Sequence, residues 1–347
     1  MPEFIYERLQ GAYLRDILNQ PEAMRDTIAG LEHTPALDAV RDALRSGRRR
    51  RIVLTGMGGS YQVLHPLQIR LTESGLDAIL VETSELLYSL PALLGPENVV
   101  VTVSQSGSSA EIVRLLDRPG PLYIGVSNTP GSPLATRAAA VILTRAGEEA
   151  GVSCKTAVTS MAALDWLGAH LTGAGLDTAR SELDALPPAM QQYLSGLTPH
   201  VAALVDRLAG ARAVFIAGRG GSMAGVGLGG MLQKEAAHFH GEGLGSAALR
   251  HGPFEMLGPG CFVMVFEGAA QFHDLHRSLV RDVLETGADA ALCGPGGEGP
   301  FALPAVPEGV RPVLELLPPQ MISLALAYLG GREPGRFERI TKVTTTE

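Results

Sequence analysis

The chain has 347 residues, 46% of them hydrophobic and 18% charged, and its 28 Lys+Arg against 36 Asp+Glu leave a formal net charge of −8 at pH 7. This is the balance of a folded globular chain of about two domains. It excludes collagen-like, coiled-coil and disordered chains, and any general electrostatic pull toward nucleic acid or an anionic membrane surface. Cys154, Cys261 and Cys293 are too few and too scattered for a disulfide framework or a zinc knuckle, so a reducing cytoplasm is the expected compartment. The start, MPEFIYERLQ, is charged where a signal peptide is apolar, and no apolar run is read as approaching the ~18 residues of a membrane span.

The first strong element is a β-branched strand running into a glycine turn at 52–60, followed by a segment of helical spacing at 61–72. Strand-then-helix units follow at 98–103 and 110–116, and at 121–126 and 133–138, with a further strand at 141–144. A long apolar helix is read at 156–171, and the stretch 180–199, with Pro187-Pro188, reads as a join. Beyond it, Val214-Phe-Ile-Ala-Gly-Arg-Gly-Gly-Ser222 repeats Ile52-Val-Leu-Thr-Gly-Met-Gly-Gly-Ser60 at an offset of 162 residues. A helix at 223–239, a strand at 261–266, a helix at 271–284, a strand at 290–293, a loop at 294–300 and an apolar helix at 318–329 complete the second half. Alternation of this kind, given twice, predicts an α/β protein of two doubly wound domains.

The strand at 98–103 ends in Ser104-Gln-Ser-Gly-Ser-Ser109, and a helix is read from Ala110. Four hydroxyls and an amide crowd that turn. Backbone N–H groups at a helix start favour an anion, and serine hydroxyls add donors without bulk. A single serine there would be read as a helix cap, but six consecutive polar or glycine residues after a buried strand point to a phosphate site. Ser60 belongs to the neighbouring strand end. At the same offset the second half has Phe266-Glu-Gly-Ala-Ala-Gln271, without the serines, so one phosphate site per chain is expected. The Gly56–Tyr61 turn is neither a Rossmann fingerprint nor a Walker loop.

On the 223–239 helix, Glu235 shares a face with Leu228, Met231, Leu232 and Phe239. A carboxylate on an apolar stripe is desolvated, which raises its pKa toward that of a general base; a structural, ion-paired glutamate is the competing reading. His251, in Leu249-Arg-His-Gly-Pro253, stands on a tight turn as a candidate proton carrier. His238, His240 and Glu242 lack a fourth ligand and are read as an exposed helix end, so neither a metal nor a cofactor is expected. Lys342 lies in the tail Thr341-Lys-Val-Thr-Thr-Thr-Glu347.

Taken together, Leu14–Ala23, Gly56–Tyr61, Ser104–Ser109, Gly147–Val152, Lys234-Glu235, Arg250–Pro253 and the tail 342–347 resemble the sugar isomerase (SIS) family, in the form of the isomerase half of glucosamine-6-phosphate synthase. The resemblance implies two tandem SIS domains, 1–185 and 186–347, each a mostly parallel doubly wound sheet, acting as a homodimer on a hexose or amino-hexose 6-phosphate. It implies that Ser104, Gln105, Ser106 and Ser109 hold the phosphate, with Ser60 and Val152 lining the sugar pocket. Glu235 would carry the proton between C1 and C2, His251 would reach across the dimer to open the ring, and Lys342 would close over the substrate. The chain departs from that pattern at Leu232, where the family has lysine, and at Cys154, where it has serine. It starts Met1-Pro2 without the synthase's glutaminase part, so glutamine is not the expected nitrogen source. The reading that follows is deamination of glucosamine 6-phosphate to fructose 6-phosphate. The alternatives are a phosphoglucose/phosphomannose-type isomerase, a fructosamine-phosphate deglycase and a non-catalytic phosphosugar sensor.

Overall fold

The computed structural model describes residues 7–339 together with 341 and 342. Among the described residues, nine strands form two wholly parallel sheets. In the first, β1 (Arg51–Gly56), β2 (Asp77–Glu82), β3 (Asn98–Val103), β4 (Leu122–Ser127) and β5 (Ala140–Leu143) are ordered β2-β1-β3-β4-β5. In the second, β6 (Ala213–Gly218), β7 (Gly241–Gly245), β8 (Cys261–Phe266) and β9 (Asp289–Cys293) are ordered β7-β6-β8-β9. In both sheets the chain lays one strand to one side of the first, then turns back and builds outward on the other side.

Parallel strands covered on both faces read as continuous apolar runs, which is why the central strands are visible in the sequence. β3, β6 and β8 are buried at every residue. The edge strands β2 and β7 are not visible in that way, and for β7 the physical reason is close packing. Its sequence is Gly-Glu-Gly-Leu-Gly, and the Met223–Ala237 helix lies against it. A Cβ on Gly230 would overlap the Gly243 nitrogen, and one on Gly243 would overlap the Val226 carbonyl. Glycine therefore marks a backbone-to-backbone approach here, not a turn. The single helix read at 61–72 is two, Gly59–Gln62 and His65–Glu73, with Pro66 opening the second because it has no N–H to continue the first.

The chain folds into two compact units, neither continuous in sequence. The five-stranded unit comprises residues 22–148 and 155–184 with 341–342; the four-stranded unit comprises 7–21, 149–154 and 185–339. Specific buried bonds draw the early residues into the four-stranded unit. The Tyr13 hydroxyl meets that of Ser323 at 3.1 Å, and Gln20 Nε2 donates to Gln320 Oε1 at 2.7 Å, both on the Leu317–Leu329 helix. The 149–154 segment is held by Asp16, which accepts the Ala150 N–H at 3.2 Å, and by Glu149, which accepts that of Cys154 at 2.9 Å. In the five-stranded unit the 18-residue Lys155–Thr172 helix is buried along most of its length and is tied to the His65–Glu73 helix by an Arg70–Asp165 ion pair of 2.6 Å.

The helical run Glu308–Leu329 is long and apolar enough to cross a membrane by length and composition, contrary to the expectation that no run comes close. Pro312, Pro318 and Pro319, with Arg311 and Glu315, break up its apolar appearance in the sequence. Inside the protein 83% of its apolar window is buried, the pattern of a core helix. The approach of the Met223–Ala237 helix to β7 generates a prediction. Gly243→Ala should destabilise the protein by about 1–3 kcal/mol through overpacking, whereas Gly210→Ala, with nothing within 4 Å, should change it by less than ~0.5 kcal/mol, as read from urea midpoints.

Candidate functional site

Where the chain leaves two adjacent parallel strands toward opposite sides of a sheet, the connections part and leave a crevice that small ligands use. In the five-stranded unit that point lies at the ends of β1 and β3, and Gly56 pairs with Val103 there, so the turns 57–60 and 104–109 begin side by side. The first turn places Ser60, half-buried, in the Gly59–Gln62 helix. It can fold back so tightly because a Cβ on Gly56 would stand 2.8 Å from the Ser60 carbonyl group.

The second turn is shaped by Gly107, whose φ of 63° suits glycine and whose Cβ position is occupied by the Ser132 side chain. Its Gln105 and Gly107 carbonyls are turned into the unit. That of Gln105 accepts from the Asn128 N–H at 3.1 Å, the Thr129 hydroxyl at 3.2 Å and the Ser127 hydroxyl at 3.3 Å; that of Gly107 accepts the Leu134 N–H at 3.1 Å. In a trans peptide the next N–H points the opposite way, so that of Ser106 turns outward, while that of Ser108 is taken up within the turn. The hydroxyls divide by role. Buried Ser104 accepts the Gly107 N–H at 3.1 Å and fixes the turn, while Ser106 is half-buried and accepts the Ser108 N–H at 3.3 Å. Ser109 stands at the N-cap of the Ala110–Leu116 helix but makes no capping hydrogen bond. The capping reading therefore does not account for its hydroxyl.

Sequence reasoning passed over Lys155, which is only 5% exposed at the start of the Lys155–Thr172 helix. Lysine is seldom buried so completely. Its ammonium lies 4.0 Å from the Cβ position of Gly147, whose carbonyl accepts from Asn128 Nδ2 at 2.8 Å. The available signal was a lysine heading an apolar helix with no acidic residue in its first turn. Lys342 belongs to this unit and is half-buried; residues 343–347 of the tail lie outside the described residues.

Glu235, His251 and Val152 belong to the four-stranded unit. Glu235 is half-buried on the Met223–Ala237 helix, and burial raises its pKa above the ordinary glutamate value, opposed by the neighbouring Lys234 charge. The buried Tyr13 phenol is pushed well up by desolvation and then by the charges of Cys154, Glu235 and Glu149. Tyr13 thus connects the 149–154 segment electrostatically with Glu235, a grouping that spacing in the sequence could not reveal. Val152 is fully buried and offers no accessible surface for a ligand. His251 is exposed on the turn after the Ser246–Arg250 helix; Arg250 pairs with Asp282, and Gly252, at φ 121°, turns the chain into Pro253.

The corresponding crevice of the four-stranded unit is filled from within. Glu267 follows β8 as Ser104 follows β3, and its carboxylate, 2% exposed, accepts the Gly296 N–H at 2.9 Å and Arg277 Nη2 at 3.1 Å, with His273 Nδ1 at 3.8 Å. A protein carboxylate occupies the donors that an incoming anion would need. Beside it, Ser222 bonds Glu315 at 3.1 Å; burial pushes the Glu315 carboxyl up to about 7, against the opposing effects of that bond and of Arg311.

Residues 47–169 match the family described as the SIS domain. The glutamine–fructose-6-phosphate aminotransferase (isomerizing) of Pyrococcus horikoshii is 29% identical over 352 residues, covering 96% of this chain and 57% of its own length. The chain thus spans little more than half of that relative. Among solved structures, the C-terminal domain of glucosamine-fructose-6-phosphate aminotransferase from Francisella tularensis superposes with a TM-score of 0.80 at 20% identity, covering 97% of this chain and 98% of that one. Glucosamine-6-phosphate deaminase from Thermotoga maritima gives 0.77 at 16% identity, covering 97% of this chain and 100% of that one. At these identities the two structures establish the likeness of fold.

A buried carboxyl raised on folding binds its proton more tightly folded than unfolded, so its contribution is greatest below the unfolded pKa and is lost as pH rises through about 7. The unfolding free energy of Glu315→Gln, read by urea titration, should therefore gain on that of the unsubstituted protein between about pH 5 and pH 8, by at most on the order of 3 kcal/mol.

Proposed function

We propose, from the match of residues 47–169 to the SIS domain family, that the protein is an isomerase-type enzyme acting on an amino-hexose 6-phosphate. The finer reaction is glucosamine 6-phosphate plus water giving fructose 6-phosphate plus ammonia. The observation that carries this reading is the 104–109 turn beside β1, with the Gln105 and Gly107 carbonyls turned inward, the Ser106 N–H turned outward and a Ser109 hydroxyl not used for capping. Ser60, Gln105, Ser106 and Ser109 hold the phosphoryl group on a turn that Ser104 shapes. Hydroxyl and amide donors suit a dianion in a chain of net charge −8, which lacks an excess of cations.

In the proposed sequence His251, contributed by the second copy of a homodimer, opens the sugar ring, and the Glu235 carboxylate removes the C2 proton of the open-chain aldehyde. The electron pair of that C–H bond forms the C1–C2 double bond of an enolamine while the carbonyl pair moves onto O1, which takes a proton from water; the nitrogen lone pair then drives return of the Glu235 proton to C1. The amine is then an imine at C2; water adds there and ammonia leaves. Lys342 closes over the substrate, and Val152, out of reach in the core, anchors the 149–154 segment of which it is part. Leu232, 3% exposed, is packed into the core, so no lysine acts from that position. The raised Glu235 pKa supports a base working near neutrality.

Incubation with glucosamine 6-phosphate should release ammonia and fructose 6-phosphate in equal amounts. Glu235→Gln should lower kcat by about 10²–10⁴-fold while leaving substrate affinity within a few-fold. Interconversion of glucose and mannose 6-phosphates with glucosamine 6-phosphate inert would replace this reaction with plain isomerisation, and binding across a sugar-phosphate panel without turnover would make the protein a sensor. Because a base must be ionised to act, kcat/KM should rise with pH along an acid limb whose midpoint lies above the ~4.3 of an ordinary glutamate, and Glu235→Gln should abolish that limb.

A further inference from the structure

The five-stranded unit also contains a buried histidine with unsatisfied ring nitrogens. His170, near the end of the Lys155–Thr172 helix, is 1% exposed, and neither of its nitrogens makes a hydrogen bond. Buried polar groups are almost always paired, so such a side chain needs an explanation. Its Nε2 lies 3.6 Å from Asp38 Oδ1, and the other oxygen of Asp38 lies 2.8 Å from His33 Nε2. The ligating atoms of all three residues fall within 4.8 Å of one another.

We propose that His33, Asp38 and His170 bind a divalent transition-metal ion of the zinc class. Two imidazoles and a carboxylate are the donor set that such an ion takes, with a fourth position left for water. Metal–ligand bonds of ~2.0–2.2 Å in a tetrahedron set the ligand atoms roughly 3.3–3.5 Å apart. The separations of 2.8 and 3.6 Å are to the two different oxygens of Asp38, and no pair in the set is wider than 4.8 Å, so the groups must close on one another by roughly an ångström or more to complete the site. The His170 ring is held in place by Trp166, stacked at 6.0 Å and 18°. The Leu37 carbonyl adjoins the ring outside hydrogen-bond geometry, and a backbone carbonyl is the usual orienting partner of a metal-bound imidazole.

One group opposes the ion. Arg41 Nη2 lies 2.8 Å from Asp38 Oδ1, and the buried Arg41 Nε has no hydrogen-bond partner. The guanidinium competes for the same carboxylate and must move aside when the metal enters. Because His33 precedes the Thr34 cap of the Pro35–Arg45 helix, the bound ion would fasten that helix to the Lys155–Thr172 helix.

The test is titration of the full chain, stripped by a chelator, with Co2+. One ion per chain should bind, with the visible d–d absorption of a four-coordinate site, and Zn2+ should displace it and raise the thermal midpoint. Truncating His170 opens a hole in the core, so the variants that decide are the half-exposed His33→Ala, which should weaken Co2+ by about tenfold or more, and Arg41→Gln, which should tighten it by about tenfold. No saturable binding, or binding that neither variant changes in the stated direction, overturns the proposal.

Discussion

The register of β1 against β3, with Gly56 opposite Val103, is the constraint on which the five-stranded unit's chemistry depends. It sets two strand ends level, so that two turns of unrelated sequence start from one line. A shift of one residue would reverse the side-chain faces of β3 and move Ser104 from the end of the strand. The register is protected by burial. Val99, Val100 and Val101 are fully enclosed, and exposing any one of them would cost about 1.5–3 kcal/mol.

The two sheets share a winding order but have opposite electrostatic fates at the same topological place. In one, serine hydroxyls gather around the outward Ser106 N–H with no acidic residue in the 104–109 turn. In the other, the Glu267 carboxylate takes up Arg277 and the Gly296 N–H. A donor-rich crevice left empty and buried is costly, because each unmade hydrogen bond carries a desolvation penalty of about 1–3 kcal/mol. An internal acid relieves that cost permanently and closes the crevice to other anions.

What the sequence disclosed follows the same physics. Strands enclosed on both faces announce themselves as apolar runs, and β3 and β8 appear at their observed bounds. The edge strand Gly241–Gly245 carries no such signal, because closeness to a helix removed its side chains. The serine turn and the desolvated Glu235 were legible because each breaks a local pattern: polar residues after an apolar strand, a charge on an apolar stripe. Tyr13 beside the Glu235 charge and His170 beside Asp38 were not, since both depend on residues more than a hundred positions apart, where no periodicity reaches.

The bond between Gln20 and Gln320 joins residues 300 positions apart. A ribosome adding ~5–20 residues per second takes roughly 15–60 s to cover that distance. Throughout that interval the Ala12–Leu18 helix, whose apolar face is enclosed in the finished protein, has emerged without its mate. Nascent chains of this design hold out an unpaired apolar helix until its partner is made, and a chaperone that shields that helix in the interval would raise the yield of folded product more than one acting later.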